Sequence, residues 1–140
     1  MSEGYEFSAS TDRIDRNTVH RWISEHSYWA HGRARAIQDA AIDASRNYGM
    51  YDRSGSQVAY ARVVTDGVTF AWLCDVFVAP EVRGEGIGKL LIDGVVADLE
   101  ALGLRRILLA TTDAHGLYEQ FGFAALDQPE RWMLRLTPQG

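Results

Sequence analysis

The stretch that most constrains the fold is a strand-like run, "FAWLCDVFV", followed by the loop "PEVRGEGIGK", the helix-like run "LLIDGVVADLEALG" and the apolar "RRILLATT". Two strands separated by a helix predict a parallel crossover, because a tight turn cannot join parallel neighbours. The helical segment supports this interpretation, since Ile87, Leu91, Val95 or Val96, and Leu99 recur on one face. The centre of the chain is therefore predicted to be a strand–helix–strand unit.

The flanking sequence predicts the rest of the domain. A short strand over residues 5–9, a helix beginning after a cap at Thr11 or Asp12, and an alanine-rich helix over residues 34–47 come first. The runs "YGMYD", "SQVAYARVVTD" and "VTFAWLCDVFV" are separated by "RSG" and "DG", which predicts an antiparallel meander. After the crossover, "HGLYEQFG" predicts a short helix and "RWMLRLT" a closing strand. The expected fold class is a mixed α/β (α+β) domain.

Composition limits the number of domains and the class of partner. The 140 residues are 46% hydrophobic and no linker divides them, which predicts a single domain over residues 1–140. The net charge of −5 and the lack of a dense Lys/Arg cluster argue against nucleic acid and anionic membranes, and suit a cationic substrate better. Cys74 is the only cysteine, and no run is apolar enough to span a membrane, so we expect a soluble cytoplasmic protein.

Three glycines, Gly84, Gly86 and Gly88, stand at alternate positions just before the predicted central helix. Uncovered backbone N–H groups at the positive end of a helix dipole form an anion site, and Arg83 and Lys89 add positive charge. The loop fails the Walker A pattern, and it also lacks the third glycine of the dinucleotide-binding pattern. A plain flexible turn remains open as an alternative to a phosphate site.

The pattern Arg83-Gly84-Glu85-Gly86-Ile87-Gly88, with the preceding "DVFVAP" and the later "HGLYEQFGF", resembles the GCN5-related N-acetyltransferase (GNAT) family. The resemblance is specific from about Trp72 to Phe123. It implies a mixed, mostly antiparallel sheet flanked by helices, the acyl-CoA N-acyltransferase fold, with acetyl-CoA held where two parallel strands splay apart. It also implies transfer of an acetyl group to an amine, and it allows a homodimer.

The same resemblance assigns the acetyl-CoA contacts. The pyrophosphate would meet the backbone amides of the loop, which comprises Arg83, Gly84, Glu85, Gly86, Ile87, Gly88 and Lys89. Glycines there let phosphate oxygens approach without meeting a β-carbon. The Glu85 carboxylate would repel a pyrophosphate and is expected to turn to solvent. Val76 and Val78 would contribute main-chain groups to the pantetheine arm and the thioester carbonyl.

Two residues are candidates for the chemistry. Tyr118 lies where family members commonly place a tyrosine facing the coenzyme sulfur, and a phenol with a pKa of about 10 can protonate a thiolate; packing alone is the alternative. Asp75 interrupts an apolar strand, where an acid needs a partner or a cavity. It could bind an ammonium group, accept a proton directly or through water, or simply pair with an arginine such as Arg62.

The remaining candidates concern the acceptor and metals. Tyr28 and Trp29, with His31, lie between the first two predicted helices and could form an aromatic wall for a cation, although connection packing is equally compatible. His20, His26 and His31 have no zinc-like spacing, so no metal is predicted. The leading hypothesis is an acetyl-CoA-dependent N-acetyltransferase acting on the primary amine of a small molecule. A peptide or protein amine acceptor and a non-catalytic acyl-CoA-binding module are the alternatives.

Overall fold

The computed structural model describes residues 4–138, which form one five-stranded sheet with helices packed against it. The strands are β1 (Glu6–Ser8), β2 (Arg46–Tyr51), β3 (Gln57–Thr65), β4 (Ala71–Val78) and β5 (Ile107–Leu108), and they lie in this order across the sheet. The first three pairings are antiparallel, and β4 and β5 are parallel. The predicted mixed, mostly antiparallel sheet is confirmed.

Four α-helices complete the domain: α1 (Arg16–His26), α2 (Arg35–Asp43), α3 (Ile87–Ala101) and α4 (His115–Glu119). The chain passes from β4 through α3 to β5, so α3 is the crossover helix that the sequence predicts. Its apolar face is fully buried, through Ile87, Leu91, Ile92, Val95 and Leu99. Among residues 4–138, no helix is both long and apolar enough to cross a membrane.

The predicted ends of the first two helices are wrong. Helix α1 begins later than expected, because Asp15 rather than Thr11 or Asp12 caps it, accepting a hydrogen bond from the Thr18 amide at 3.1 Å. Helix α2 ends at Asp43, and the chain enters β2 at Arg46. The side chain of Asn47 explains this early end, since its Nδ2 donates to the Ile42 carbonyl at 2.8 Å and so competes with continued helix.

Strand β1 closes one edge of the sheet against α3. Phe7 stacks on Tyr48 with ring centroids 5.9 Å apart. The same ring lies directly against Gly94 in α3, where a β-carbon would collide with it. A glycine at this helix position therefore allows the ring of Phe7 to approach the helix backbone.

The predicted closing strand "RWMLRLT" is wrong for the chain as it folds here. Residues 132–138 form no strand, and Met133, Leu134 and Leu136 are 97%, 83% and 79% exposed. The predicted strand "RRILLATT" shortens to the two residues of β5, which are half-buried rather than buried. Both differences have one cause: within residues 4–138, no strand pairs with the outer edge of β5.

Candidate active site

Strands β4 and β5 separate after two paired positions. Ala71 pairs with Ile107 and Trp72 with Leu108, but β4 continues to Val78 without β5. A register shift in the pairing of β4 with β3 falls at Asp75, which adopts a left-handed backbone with φ of 51°. Such a bulge bends and twists a strand, and it accounts for the separation of β4 from β5. The result is a gap at the carboxyl ends of two parallel strands, a common position for a ligand.

The glycine loop lies at one end of this gap. Gly84 and Gly86 have φ of +87° and +79°, and a β-carbon on either would meet no atom of residues 4–138 within 4 Å, its chain neighbours apart. Backbone conformation therefore requires these glycines, and the space beside them is open. Gly86 is the residue before α3, and no side chain within residues 4–138 caps that helix start. The loop thus presents amide groups at a positive helix end, as an anion site needs.

The charged residues of the loop take different positions. The Nε of Arg83 donates to the Val78 carbonyl at 3.0 Å, and its guanidinium carbon lies 5.3 Å from the centroid of the Phe77 ring. This bond uses neither of the terminal nitrogens with which arginine grips a phosphate. Lys89 is exposed in the first turn of α3. Glu85 is exposed and accepts a hydrogen bond from the Tyr5 hydroxyl at 3.1 Å.

Val76 and Val78 lie on β4 beyond its last pairing with β5, and both are half-buried. Their backbone edge on the side of the gap has no strand partner among residues 4–138. Unpaired main-chain groups of this kind can bind an extended ligand in the manner of an added strand. The Val78 carbonyl is already engaged by Arg83, so Val76 is the better placed of the two as an acceptor.

Asp75 is 4% exposed and lies at the centre of a polar cluster. Its Oδ2 accepts from Arg33 Nη1 at 2.6 Å and from Arg62 Nε at 2.9 Å. Its Oδ1 accepts from Trp29 Nε1 at 2.9 Å. Both carboxylate oxygens are therefore occupied by donors, two of them cationic. The partner that the sequence suggested, Arg62, is present, and Arg33 is a second one that the sequence analysis missed.

This environment keeps Asp75 ionised. Burial alone would raise the pKa of the carboxyl group, but hydrogen bonds and charge from Arg33 and Arg62 outweigh burial, so the pKa lies below its usual value. A carboxylate with a lowered pKa is a weak base near neutral pH. Two arginines around one carboxylate leave one positive charge in excess at this end of the gap.

Tyr28 and Trp29, in the connection between α1 and α2, border the same region. Their rings meet edge to face with centroids 5.0 Å apart, and they are 60% and 42% exposed. Trp29 reaches Asp75 through its indole nitrogen, and the Tyr28 hydroxyl accepts from Thr112 Oγ1 at 3.1 Å. Because Thr112 follows β5 and Asp75 belongs to β4, the two aromatic residues contact both sides of the gap.

Tyr118 lies on α4 and is 7% exposed, with its ring edge-to-face on Phe123 at 5.8 Å between centroids. Burial, together with smaller contributions from the neighbouring Tyr28 and Asp113, raises the pKa of its phenol to about 12. The phenol therefore stays protonated at neutral pH and can act as a proton donor. The interaction with Tyr28 indicates that Tyr118 lies near the aromatic pair.

Two other chemistries have little support among the described residues. Burial raises the pKa of the Cys74 thiol to about 11, which makes it a poor nucleophile at neutral pH. Across residues 4–138, no three His, Cys, Asp or Glu side chains come together in a group that could hold a metal ion. A further unusual group is Gln38, fully buried beside Arg33, whose Nε2 has no hydrogen-bond partner in the part of the chain that the structure describes.

Comparison with known proteins agrees with the splayed strands and glycine loop. Residues 16–123 match the model of the acetyltransferase (GNAT) family. The chain belongs to the GNAT family. Among solved structures, a GNAT-family protein from Xanthomonas campestris pv. campestris is 43% identical, with a TM-score of 0.89, over 96% of this chain and 94% of that one. This GNAT protein is accordingly an acetyltransferase with the acyl-CoA N-acyltransferase fold.

Two curated relatives extend the comparison. An acetyltransferase-family protein of Gibberella zeae is 30% identical over 136 residues, covering 81% of this chain and 76% of the relative. Serotonin N-acetyltransferase 2 of rice, a chloroplast protein, is 40% identical over 72 residues, covering 51% of this GNAT protein and 36% of the rice enzyme.

Members of the GNAT family generally use acetyl-CoA and act on amine acceptors, and the loop of this GNAT protein fits such a donor. The open space beside Gly84 and Gly86 supports this fit, because an anionic group could approach the backbone amides there without meeting a side chain. The groups that could hold it are those amides, the main chain of Val76 and Val78, and the cations Arg83 and Lys89.

Proposed function

We propose that this GNAT protein transfers the acetyl group of acetyl-CoA to the primary amine of a small molecule. The observation that carries the proposal is the gap between β4 and β5, with the glycine loop and its uncapped helix start at one end and the Tyr28, Trp29 and Asp75 cluster bordering it. The rice relative supports a small amine acceptor, since its name specifies serotonin. The exposed aromatic pair also suits a small amine, because its rings offer apolar surface to the body of the acceptor. The excess positive charge from Arg33 and Arg62 favours the neutral form of the amine that attacks.

In the proposed reaction, the neutral amine attacks the thioester carbonyl, a C–N bond forms and the C–S bond breaks. The departing sulfur needs a proton, and Tyr118, held protonated by its burial, donates it. The proton lost by the amine passes to water, and the Tyr118 phenolate takes a proton back from water. The backbone of β4 at Val76 holds the donor in an extended conformation beside the acceptor, which converts a bimolecular encounter into a positioned one.

Asp75 has a positioning role in this proposal rather than that of the base. Its lowered pKa and its three donors make proton abstraction unfavourable. What the carboxylate does instead is fix Trp29, Arg33 and Arg62 in one arrangement at the acceptor end of the gap. A water chain then remains as the route by which the amine loses its proton.

Ligand binding tests the class of activity first. Thermal melting with acetyl-CoA, CoA, ATP and NAD should show stabilisation by the two CoA species and little by the two nucleotides, because binding to the folded state raises Tm. A panel of small amines and short peptides, assayed for CoA release, then identifies the acceptor. Stabilisation by acetyl-CoA without CoA release from any amine would favour a non-catalytic binding module.

Gly86→Val should weaken acetyl-CoA binding by at least about tenfold, as measured by calorimetry. A β-branched residue is strongly disfavoured at a φ of +79°, so the loop must change its backbone and move its amides. Gly55→Val is the matched control, because Gly55 has φ of +87°, open space around it and a position in the turn between β2 and β3.

The two variants should lose similar stability, but only Gly86→Val should lose coenzyme affinity. Gly86→Asn refines the test, since asparagine tolerates the left-handed conformation and adds only a side chain. Unchanged affinity in a folded Gly86→Val protein would remove the loop from the proposed site.

A further inference from the structure

Two arginines face a single acid at the acceptor end of the gap. Arg33 and Arg62 both pair with Asp75, and neither forms an ion pair with any other carboxylate in residues 4–138. The Asp75 side chain is buried and the two arginines are mostly buried, so water screens little of the excess charge. The cluster thus carries one positive charge that no ion pair among the described residues balances.

Unpaired donors mark the place where a counter-charge would bind. Arg33 uses Nη1 for Asp75 and for Gln38 Oε1, at 2.6 and 3.1 Å, which leaves its Nε and Nη2 without a hydrogen bond within residues 4–138. Arg62 Nη2 is also unpaired there. Among the described residues, Gln38 Nε2 is the only side-chain nitrogen that is fully buried and unpartnered, so these arginine nitrogens contact solvent. The Nε and Nη2 edge of Arg33 is therefore an open fork for a carboxylate.

The neutral side chain beside Arg33 preserves this excess charge. Gln38 lies on α2 and is fully buried, and its Oε1 accepts from Arg33, so turning the amide over would oppose two donors. Its Nε2 consequently stays unpartnered among residues 4–138, which lowers stability. A glutamate at this position would fit the same space, pair with Arg33 and cancel the charge. A positive charge that is retained in this way points to an anionic ligand.

We propose that the acceptor amine also carries a carboxylate, as an amino acid does, and that the Nε and Nη2 edge of Arg33 binds this carboxylate. The inference rests on the proposed transfer to a small amine and adds the class of acceptor. One carboxylate balances the single excess charge, whereas a phosphate monoester would bring about two negative charges. An acceptor with only an ammonium group would be repelled by the cluster, although the net charge of the whole chain is −5.

The position of Arg33 also suits a two-point contact with the acceptor. Trp29 and Arg33 both donate to Asp75, so the guanidinium lies beside the exposed aromatic pair. The carboxylate would bind at Arg33 while the apolar part of the acceptor packs on Tyr28 and Trp29. Two contacts of different kinds fix the orientation of the acceptor and hence the direction from which its amine approaches the thioester.

Acceptor pairs that differ in one charge test the proposal. A panel of α-amino acids and longer ω-amino acids is compared with the corresponding methyl esters, by CoA release in the presence of acetyl-CoA. The acids should exceed their esters in kcat/KM by about tenfold or more, the scale of a charge-assisted hydrogen bond. Equal or faster turnover of the esters would overturn the carboxylate assignment and leave the proposed acetyl transfer intact. Preference for phosphoethanolamine over every acid would also overturn it.

Binding separates this inference from the activity itself. Calorimetry with CoA present and the same acids and esters measures recognition without turnover, and the acids should again bind about tenfold or more tightly. If no amine releases CoA, the proposed function fails, and the calorimetric ratio still decides whether the site takes a carboxylate. Acids that bind no better than their esters would contradict the inference.

Gln38→Glu tests the charge without removing an arginine. The new carboxylate takes the place of the amide beside Arg33 and cancels the excess charge, so the acid-to-ester ratio should fall towards one. Gln128→Glu is the matched control, because Gln128 Oε1 also accepts from an arginine, Arg131 Nη1 at 2.8 Å, but Gln128 is exposed and lies outside the cluster. Its ratio should equal that of the wild type.

Arg33→Met removes the proposed carboxylate site directly and should abolish the preference for acids. Thermal melting establishes which variants are folded, and the acid-to-ester ratio is compared only among those. If Arg33→Met fails to fold, Gln38→Glu still provides the test, since it keeps every arginine of the cluster. A ratio that stays at the wild-type value in a folded Gln38→Glu or Arg33→Met protein would show that the acceptor carboxylate binds elsewhere, and the proposal would be wrong.

Discussion

Asp75→Asn should lower the free energy of unfolding by about 3 kcal/mol, because removing one member of a buried ion cluster leaves the other charges uncompensated. The Asp75 side chain is 1% exposed, and those of Arg33 and Arg62 are 19% and 14% exposed, so solvent screens little of the effect. For a chain of 140 residues this corresponds to a fall in Tm on the order of 10 °C. Urea unfolding followed by circular dichroism measures it.

Asparagine is the informative replacement at this position. It keeps the size of the side chain and tolerates the left-handed backbone of residue 75. The loss of stability therefore measures the removal of the charge and not a change in the backbone of the bulge. Asp43→Asn is the matched control, since Asp43 pairs with Arg16 at 2.7 Å but is 67% exposed, and its loss should change stability little. If both variants unfold at the same urea concentration as the wild type, the cluster contributes nothing to the fold.

The pH dependence of stability follows from the same cluster. The folded-state pKa of Asp75 is lowered, so its stabilisation is present above the unfolded-state pKa of about 3.9 and is lost as pH falls through the lower folded value. Wild-type stability should therefore decline more steeply below about pH 4 than that of Asp75→Asn. Equal slopes for the two proteins would contradict the assigned direction of the pKa.

Tyr118→Phe should reduce kcat by about 10²-fold or more, the usual effect of removing a general acid. The ring and its contact with Phe123 remain, so acetyl-CoA affinity should stay near the wild-type value. The loss should appear equally in kcat and kcat/KM, because the proton is donated mainly in the transition state. Single-turnover kinetics establish that chemistry limits the rate that is compared.

A second buried tyrosine provides the control for Tyr118. Tyr51 is 2% exposed, burial raises its pKa to about 12, and its hydroxyl donates to the Arg13 carbonyl, but it lies on β2. Tyr51→Phe should keep full turnover. In the wild type, deprotonation of Tyr118 should reduce the rate only as pH approaches about 12. Near wild-type turnover in Tyr118→Phe would leave water as the proton source.

Local patterns in the sequence predicted the centre of the fold well. The spacing of apolar residues in α3, the glycines at its start and the strand β4 before it depend on neighbours in sequence, and all three are present as expected. The strand after α3 is present but is shortened to the two residues of β5. The start of α1 was harder to predict, because Thr11, Asp12 and Asp15 can all cap the first turn of a helix. The extended backbone of Ile14, with ψ of 125°, separates the short turn at Thr11–Arg13 from the helix that follows, and Ile14 is buried at 8% exposure.

The candidate site could be predicted only in part. The isolated acid in an apolar strand marked Asp75, and alternation in a hairpin suggested Arg62 as its neighbour. Arg33 belongs to the connection between α1 and α2, and no periodicity in sequence relates it to β4. Whether a strand-like pattern forms a strand also depends on the partner with which it pairs, and the sequence does not show that partner. Residues 131–137 were therefore predicted as part of this chain's own sheet.

The two ends of the sheet have different consequences for assembly. At the β1 end, the edge strand has only three residues, and its Phe7 packs against Gly94 of α3. A further strand would therefore find few backbone groups with which to pair. The sheet can therefore gain a strand at its β5 edge but not at its β1 edge. Any extended segment that binds this protein by strand addition would therefore be found at β5.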